Sequence, residues 1–213
     1  MSRVSVKVCG LTRPADARRA VELGADYGGV IGHPGSPRFV EPGSVPEAAV
    51  LGALPPGSAV WVEVEPEPEA VAAALGRGFG YAQVHFDPGG AYDPAILADR
   101  VGPARIWLAP RLRDPADFDP AWQGLAVNFL VDAFAPDRFG GTGHRVDGPA
   151  FAALRAGHPD LVFTLAGGLS PENVREAVAA SGADRIDVNS GVESAPGEKD
   201  HARLERLFAR LVP

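Results

Sequence analysis

The chain has one cysteine, Cys9, and one methionine, and its only lysines are Lys7 and Lys199. A single thiol excludes an internal disulfide, and the five histidines are too scattered to give the usual spacings of a structural zinc site. Positive charge is also short, since 20 Lys and Arg stand against 27 Asp and Glu for a net charge of -7. That balance argues against nucleic acid or an anionic membrane as partner, so any bound anion must be met by a local site. No apolar run approaches about 18 residues, and the first residues hold no apolar stretch of the length expected of a secretory signal. A cytoplasmic protein with no membrane partner is the expectation.

What is present is punctuation and repetition. A length of 213 residues with 46% hydrophobic content suits one sizeable core, so one domain over residues 1–213 is expected. The 21 prolines and 26 glycines fall singly or in pairs between apolar runs, not in one block, and read as turns, not disorder. β-branched strands are expected near Val4 to Val8, Tyr27 to Ile31, Ala59 to Val64, Tyr81 to His85, Arg105 to Leu108, Val127 to Val131, Leu161 to Leu165 and Arg185 to Val188. Helical stretches follow most of them, several with proline in the first turn, and the last runs from Lys199 to Leu211. Only Arg111 to Trp122 lacks a helical pattern. Eight strands alternating with roughly eight helices predict an α/β fold, a single-domain (β/α)8 TIM barrel. The open doubly wound sheet is the competitor, but the turn after the first strand, Cys9-Gly10-Leu11-Thr12, lacks the dinucleotide fingerprint.

In such a barrel the chemistry sits at the C-terminal ends of strands. Cys9 ends strand one, Arg38 follows strand two, His85 ends strand four, Asp132 ends strand six, and Asp187 and Asn189 end strand eight. Three of these have a plainer reading: a small buried residue for Cys9, a helix cap for Asp132, a surface arginine for Arg38. Gly167 and Gly168 after strand seven, with Ser190 and Gly191 after strand eight, stand where such barrels hold phosphate on backbone N–H groups, although simple turns would use the same residues.

Several segments together carry a family resemblance. They are Lys7-Val8-Cys9-Gly10-Leu11-Thr12, Ser36-Pro37-Arg38, Gly140-Gly141-Thr142-Gly143, Leu165-Ala166-Gly167-Gly168-Leu169 and Asp187-Val188-Asn189-Ser190-Gly191-Val192-Glu193. In order, and over essentially the whole chain, they resemble phosphoribosylanthranilate isomerase of tryptophan biosynthesis. The resemblance implies an Amadori rearrangement of a small-molecule phosphoribosyl substrate, with Asp132 as general acid and Cys9, as thiolate, as general base. It also implies substrate contacts from Arg38, His85, Gly141 and Asp187, with phosphate on Gly167, Gly168, Ser190 and Gly191. Proton transfers suffice for that chemistry, so no metal and no organic cofactor is expected; the chain is expected to act as a monomer or homodimer. The glycine loop around Gly141 is expected to cover the intermediate.

An ordinary thiol, near about 8.5, is mostly protonated at neutral pH, and an ordinary aspartic acid, near about 3.9, is mostly ionised. Both therefore need tuning for these roles, and Lys7, two residues before Cys9 on the same strand face, is the cation expected to favour the thiolate. Four positions depart from the family's pattern: Phe86 where glycine is usual, Gly32 and His33 where aromatic residues are usual, and Gly148 where tryptophan is common. They put the aglycone pocket in question. A related sugar-phosphate isomerase with another aglycone, a Schiff-base aldolase using Lys7, and a phosphosugar-binding barrel without catalysis stay open as alternatives.

Overall fold

Alternating β-branched runs and amphipathic segments lay each strand parallel to the last, with its helix packed outside. The computed structural model describes residues 3–132 and 147–212. Its strands are β1 (Ser5–Val8), β2 (Tyr27–Ile31), β3 (Ala59–Val64), β4 (Tyr81–Phe86), β5 (Ile106–Pro110), β6 (Asn128–Val131), β7 (Val162–Leu165) and β8 (Arg185–Val188). They form one closed parallel barrel in sequence order, and β8 pairs with β1 to close it. The helices are α1 (Pro14–Glu22), α2 (Val45–Leu51), α3 (Pro68–Gly76), α4 (Pro94–Val101), α5 (Gly148–Gly157), α6 (Val174–Ser181) and α7 (His201–Leu211). The fold is thus the expected (β/α)8 barrel, and the open sheet is excluded. None of the helices among the described residues is long and apolar enough to cross a membrane.

The N-terminal end of the barrel is plugged. Tyr27 meets Trp107 edge-on at 5.1 Å between ring centroids and Tyr81 at 5.7 Å, and the Arg185 guanidinium lies 4.9 Å from the Trp107 centroid. Arg185 is in turn held by Asn128 Oδ1 at 2.7 Å. With that end filled, the C-terminal end carries the cavity.

Two departures from the regular pattern have physical causes. After β5 the chain makes two 3-10 turns, Pro115–Asp117 and Pro120–Trp122, each capped by an aspartate. Their aromatic rings pack where a helix would lie: Phe118 against Phe129 at 5.0 Å and Trp122 against Phe86 at 5.5 Å, both edge-on. At the other end of the chain a small hairpin, β9 (Glu193–Ala195) and β10 (Glu198–Lys199), precedes α7. Lys199 therefore belongs to β10, not to the last helix as its sequence neighbourhood suggests; Asp200 caps α7 by accepting from the Arg203 N–H.

Three of the four unusual positions turn out to lie away from the cavity. Phe86 is 1% exposed and serves the aromatic layer behind β4. A Cβ on Gly32 would come within 2.4 Å of Trp61 Nε1, so the indole of Trp61 on β3 takes the space a side chain at 32 would need. Gly148 opens α5 against the end of α6, where a Cβ would lie 2.9 Å from that of Ala180. Only His33 lines the cavity. Phe86→Ala is accordingly expected to lower unfolding stability by about 3–5 kcal/mol, measured by urea denaturation, without changing substrate KM. A raised KM with unchanged stability would place Phe86 at the site instead.

Candidate active site

β1 alternates its side chains, so Lys7 and Cys9 point to the same, inner face. They fit there because β2 offers no side chain opposite them: a Cβ on Gly29 would lie 2.9 Å from Cys9 Sγ and 3.0 Å from Lys7 Nζ. Gly10, at φ +70, likewise gives way to Asn189 and Arg38, whose atoms would sit 2.6 and 2.7 Å from a Cβ. Cys9 is a free thiol, 4% exposed, at the floor of a cavity of about 580 Å³.

Register sets the charges around it. Lys7 is the direct partner of Asp187 across β1 and β8, and its ammonium donates to Asp187 Oδ1 at 2.9 Å. Burial pulls the Lys7 ammonium down, but Asp187 and Cys9 more than offset this and leave its pKa raised. Burial pushes the Cys9 thiol up, and Lys7 opposes that push without cancelling it. Asp187 is also raised by burial, with Lys7 opposing. The expected cation beside Cys9 is present, and the thiol is still the favoured form at rest.

A second charged group stands behind the rim. Arg38 lines the cavity, and its Nε and Nη2 donate to both carboxylate oxygens of Glu193. Lys199, with a fully buried side chain, donates to the same Glu193 Oε1 at 2.7 Å and to Asn189 Oδ1 at 2.9 Å. Burial alone would raise the Glu193 carboxyl, but hydrogen bonding from Arg38 and the charge of Lys199 hold it below the usual carboxylate range.

Across the cavity, His85 is paired with Gln83 Nε2 at 2.8 Å, and burial, with Lys7 and His33 nearby, lowers its pKa to about 4. It is a neutral imidazole at pH 7, able to donate from one nitrogen and accept at the other. His33 Nδ1 pairs with Glu63 Oε1 at 2.8 Å on the same wall. Asp132, just beyond β6, lines the cavity as well.

The loops after β7 and β8 complete the ring. Gly167 and Gly168 have φ of +93 and +60, and the Asn173 side chain latches their loop by donating to Gly168 O and accepting from Ser170 N. That latch explains why α6 begins at Val174, not at Pro171. Gly191 packs so tightly that a Cβ would lie 2.0 Å from Leu169 O. Gly191→Ala must therefore separate the two loops, and the affinity for a phosphorylated ligand is expected to fall at least about tenfold by titration calorimetry. Unchanged affinity would detach these loops from phosphate binding.

Of the sequence-derived site residues, Cys9, Arg38, His85, Asp132, Gly167, Gly168, Asp187, Ser190 and Gly191 all line this one cavity. Gly141 and its loop lie outside the described residues. Glu193, Lys199, Gln83 and Glu63 were missed as contributors. The glycine pair Gly28-Gly29 and the rarity of lysine were the available signals.

Residues 6–210 match the family described as N-(5'phosphoribosyl)anthranilate (PRA) isomerase. The chain belongs to this family. It is 41% identical over 215 residues to N-(5'-phosphoribosyl)anthranilate isomerase of Paracoccus denitrificans, covering 97% of this chain and 96% of the relative. The crystal structure of phosphoribosyl anthranilate isomerase from Thermus thermophilus superposes with a TM-score of 0.80 at 33% identity, covering 97% of this chain and 98% of that one. A further PRA isomerase structure is similar at TM-score 0.75 and 28% identity, covering 98% of each chain, and holds reduced 1-(o-carboxyphenylamino)-1-deoxyribulose 5-phosphate.

Proposed function

We propose that the chain, acting as one barrel in a monomer or homodimer, converts N-(5-phosphoribosyl)anthranilate to 1-(2-carboxyphenylamino)-1-deoxyribulose 5-phosphate in tryptophan biosynthesis. The observation that carries this reading is the convergence of Cys9, Asp132, Arg38 and the two glycine loops on one cavity in a chain of this family. Asp132 protonates the ring oxygen as the ribose opens to an iminium. Cys9, as thiolate, takes the hydrogen from C2′ to give an enolamine. Loss of the C2′ hydroxyl proton and protonation at C1′ then yield the ketone. Atoms balance within the substrate, so the reading calls for no cofactor.

Binding follows the cavity's polarity. Backbone N–H groups of Gly167, Gly168, Ser190 and Gly191 receive the phosphate, and Arg38 receives the anthranilate carboxylate. His85 and Asp187 serve the ribose hydroxyls between them, and Gly141 contributes from the covering loop. That a similar isomerase holds a reduced product analogue supports a ligand of this length and charge. Expression of this chain in a bacterium lacking its own phosphoribosylanthranilate isomerase is expected to restore growth without tryptophan. No growth from well-expressed, folded protein would contradict the proposal.

A further inference from the structure

Arg38 presents a difficulty for its proposed role. A guanidinium already engaged through Nε and Nη2 by a carboxylate forms a neutral pair, and Glu193 would repel an arriving anion. The resolution lies behind the cavity wall. Glu193 is shared: its Oε1 accepts from Arg38 Nε at 2.9 Å and from Lys199 Nζ at 2.7 Å, while Oε2 accepts from Arg38 Nη2 at 2.7 Å. The side chains of Glu193 and Lys199 are 4% and 0% exposed, and neither residue lines the cavity.

We infer that Lys199 is a specificity-determining positioning residue: by sharing Glu193 with Arg38 it leaves the triad one anion short, and the anionic aglycone of the substrate completes it. Burial lowers the Lys199 pKa, and Glu193, accepting from its ammonium at 2.7 Å, opposes that loss of the proton. With Lys199 protonated, two cations on one carboxylate carry a net charge of one, and in a buried setting that charge is poorly screened. It faces the cavity only at Arg38, the one member of the three that lines it. Lys7 does not supply it, being matched by Asp187 at 2.9 Å. Lys199 is held in place by Asn189 Oδ1 as well as Glu193, so its ammonium does not swing into the cavity as a ligand itself. The charge is thereby set by a residue that does not touch substrate.

This inference rests on the reading of Arg38 as partner of the substrate carboxylate, and one experiment separates the two. Inhibition constants are measured for reduced 1-(o-carboxyphenylamino)-1-deoxyribulose 5-phosphate and for its phenylamino counterpart lacking the carboxylate. The ratio of the two constants is compared in the unmodified protein, Lys199→Met and the double variant Glu193→Gln/Lys199→Met. The unmodified protein is expected to prefer the carboxylate ligand, and Lys199→Met, whose Arg38–Glu193 pair is neutral, to lower that preference by roughly tenfold. The double variant leaves Arg38 alone and uncompensated, so the preference is expected to return. A merely structural role would make the double variant at least as poor as the single one. Should Lys199→Met fail to fold, Lys199→Gln, which keeps a donor toward Glu193 without the charge, is read in its place with the same expectation. A preference unchanged in the neutral variant, or one not restored in the double variant, overturns the inference alone. No preference in the unmodified protein overturns both the inference and the role of Arg38.

Discussion

Cys9→Ala and Asp132→Asn are each expected to lower kcat/KM for phosphoribosylanthranilate by about 10³-fold, the range spanned by a positioned acid or base. The loss should appear in kcat, because neither change removes a phosphate or carboxylate contact. Alanine is smaller than cysteine and equally apolar, so a site that is already 4% exposed keeps its shape with a small void. Affinity for the reduced product analogue should then stay within about threefold of the unmodified value. Retained kcat in Cys9→Ala would remove the thiolate from the mechanism. Loss of analogue binding in step with kcat would mean that the substitution damaged the cavity and not the chemistry.

Lys7→Met is expected to move the rising limb of the kcat/KM pH profile to higher pH. The sign follows from the neighbours of Cys9. Burial raises the thiol, Lys7 lowers it, and Asp187 raises it by less than Lys7 lowers it. Without Lys7, the Asp187 carboxyl, already raised by burial, loses the larger of the two cations, Lys7 and Lys199, that oppose that rise and is raised further. Whether the Asp187 charge stays or is neutralised, the lowering influence that is lost is the larger, so the Cys9 pKa rises. The ionised fraction of a base used in its minor form falls about tenfold for each unit of that rise at fixed pH below it, offset in part by the greater strength of the base. The thiol itself can be followed by its alkylation rate against pH, which should shift in the same direction. An unshifted limb with an unshifted alkylation profile would remove Lys7 from the activation of Cys9.

Strand positions were readable from the sequence because each β-branched run ends at a glycine, a proline or a capped helix. β2, β3 and β8 begin and end where their apolar runs do, at Tyr27–Ile31, Ala59–Val64 and Arg185–Val188. Boundaries failed where side chains, not propensity, decide them. Pro171 marked a helix start that Asn173 defers by latching the preceding loop, and Lys199 looked helical because a two-residue strand has no periodicity to detect. The line-up of Cys9, Asp132, Arg38 and Asp187 at one end followed from the barrel geometry once the strands were counted. The charge design did not. Glu193 lies 155 positions from Arg38, and Lys7 lies 180 from Asp187, so only the closed barrel brings each pair together. The setting of Phe86, Gly32 and Gly148 was hidden for the same reason: they serve packing behind the strands, where partners such as Trp122, Trp61 and Ala180 set what fits.

The most direct measurement is the fall in anthranilate-type fluorescence when freshly made phosphoribosylanthranilate is mixed with the purified, unmodified protein. The expected result is a catalytic decay that scales with enzyme concentration and yields 1-(2-carboxyphenylamino)-1-deoxyribulose 5-phosphate. Fluorescence falling no faster than in buffer, while the reduced product analogue still binds, would contradict the isomerase and leave a phosphosugar-binding barrel.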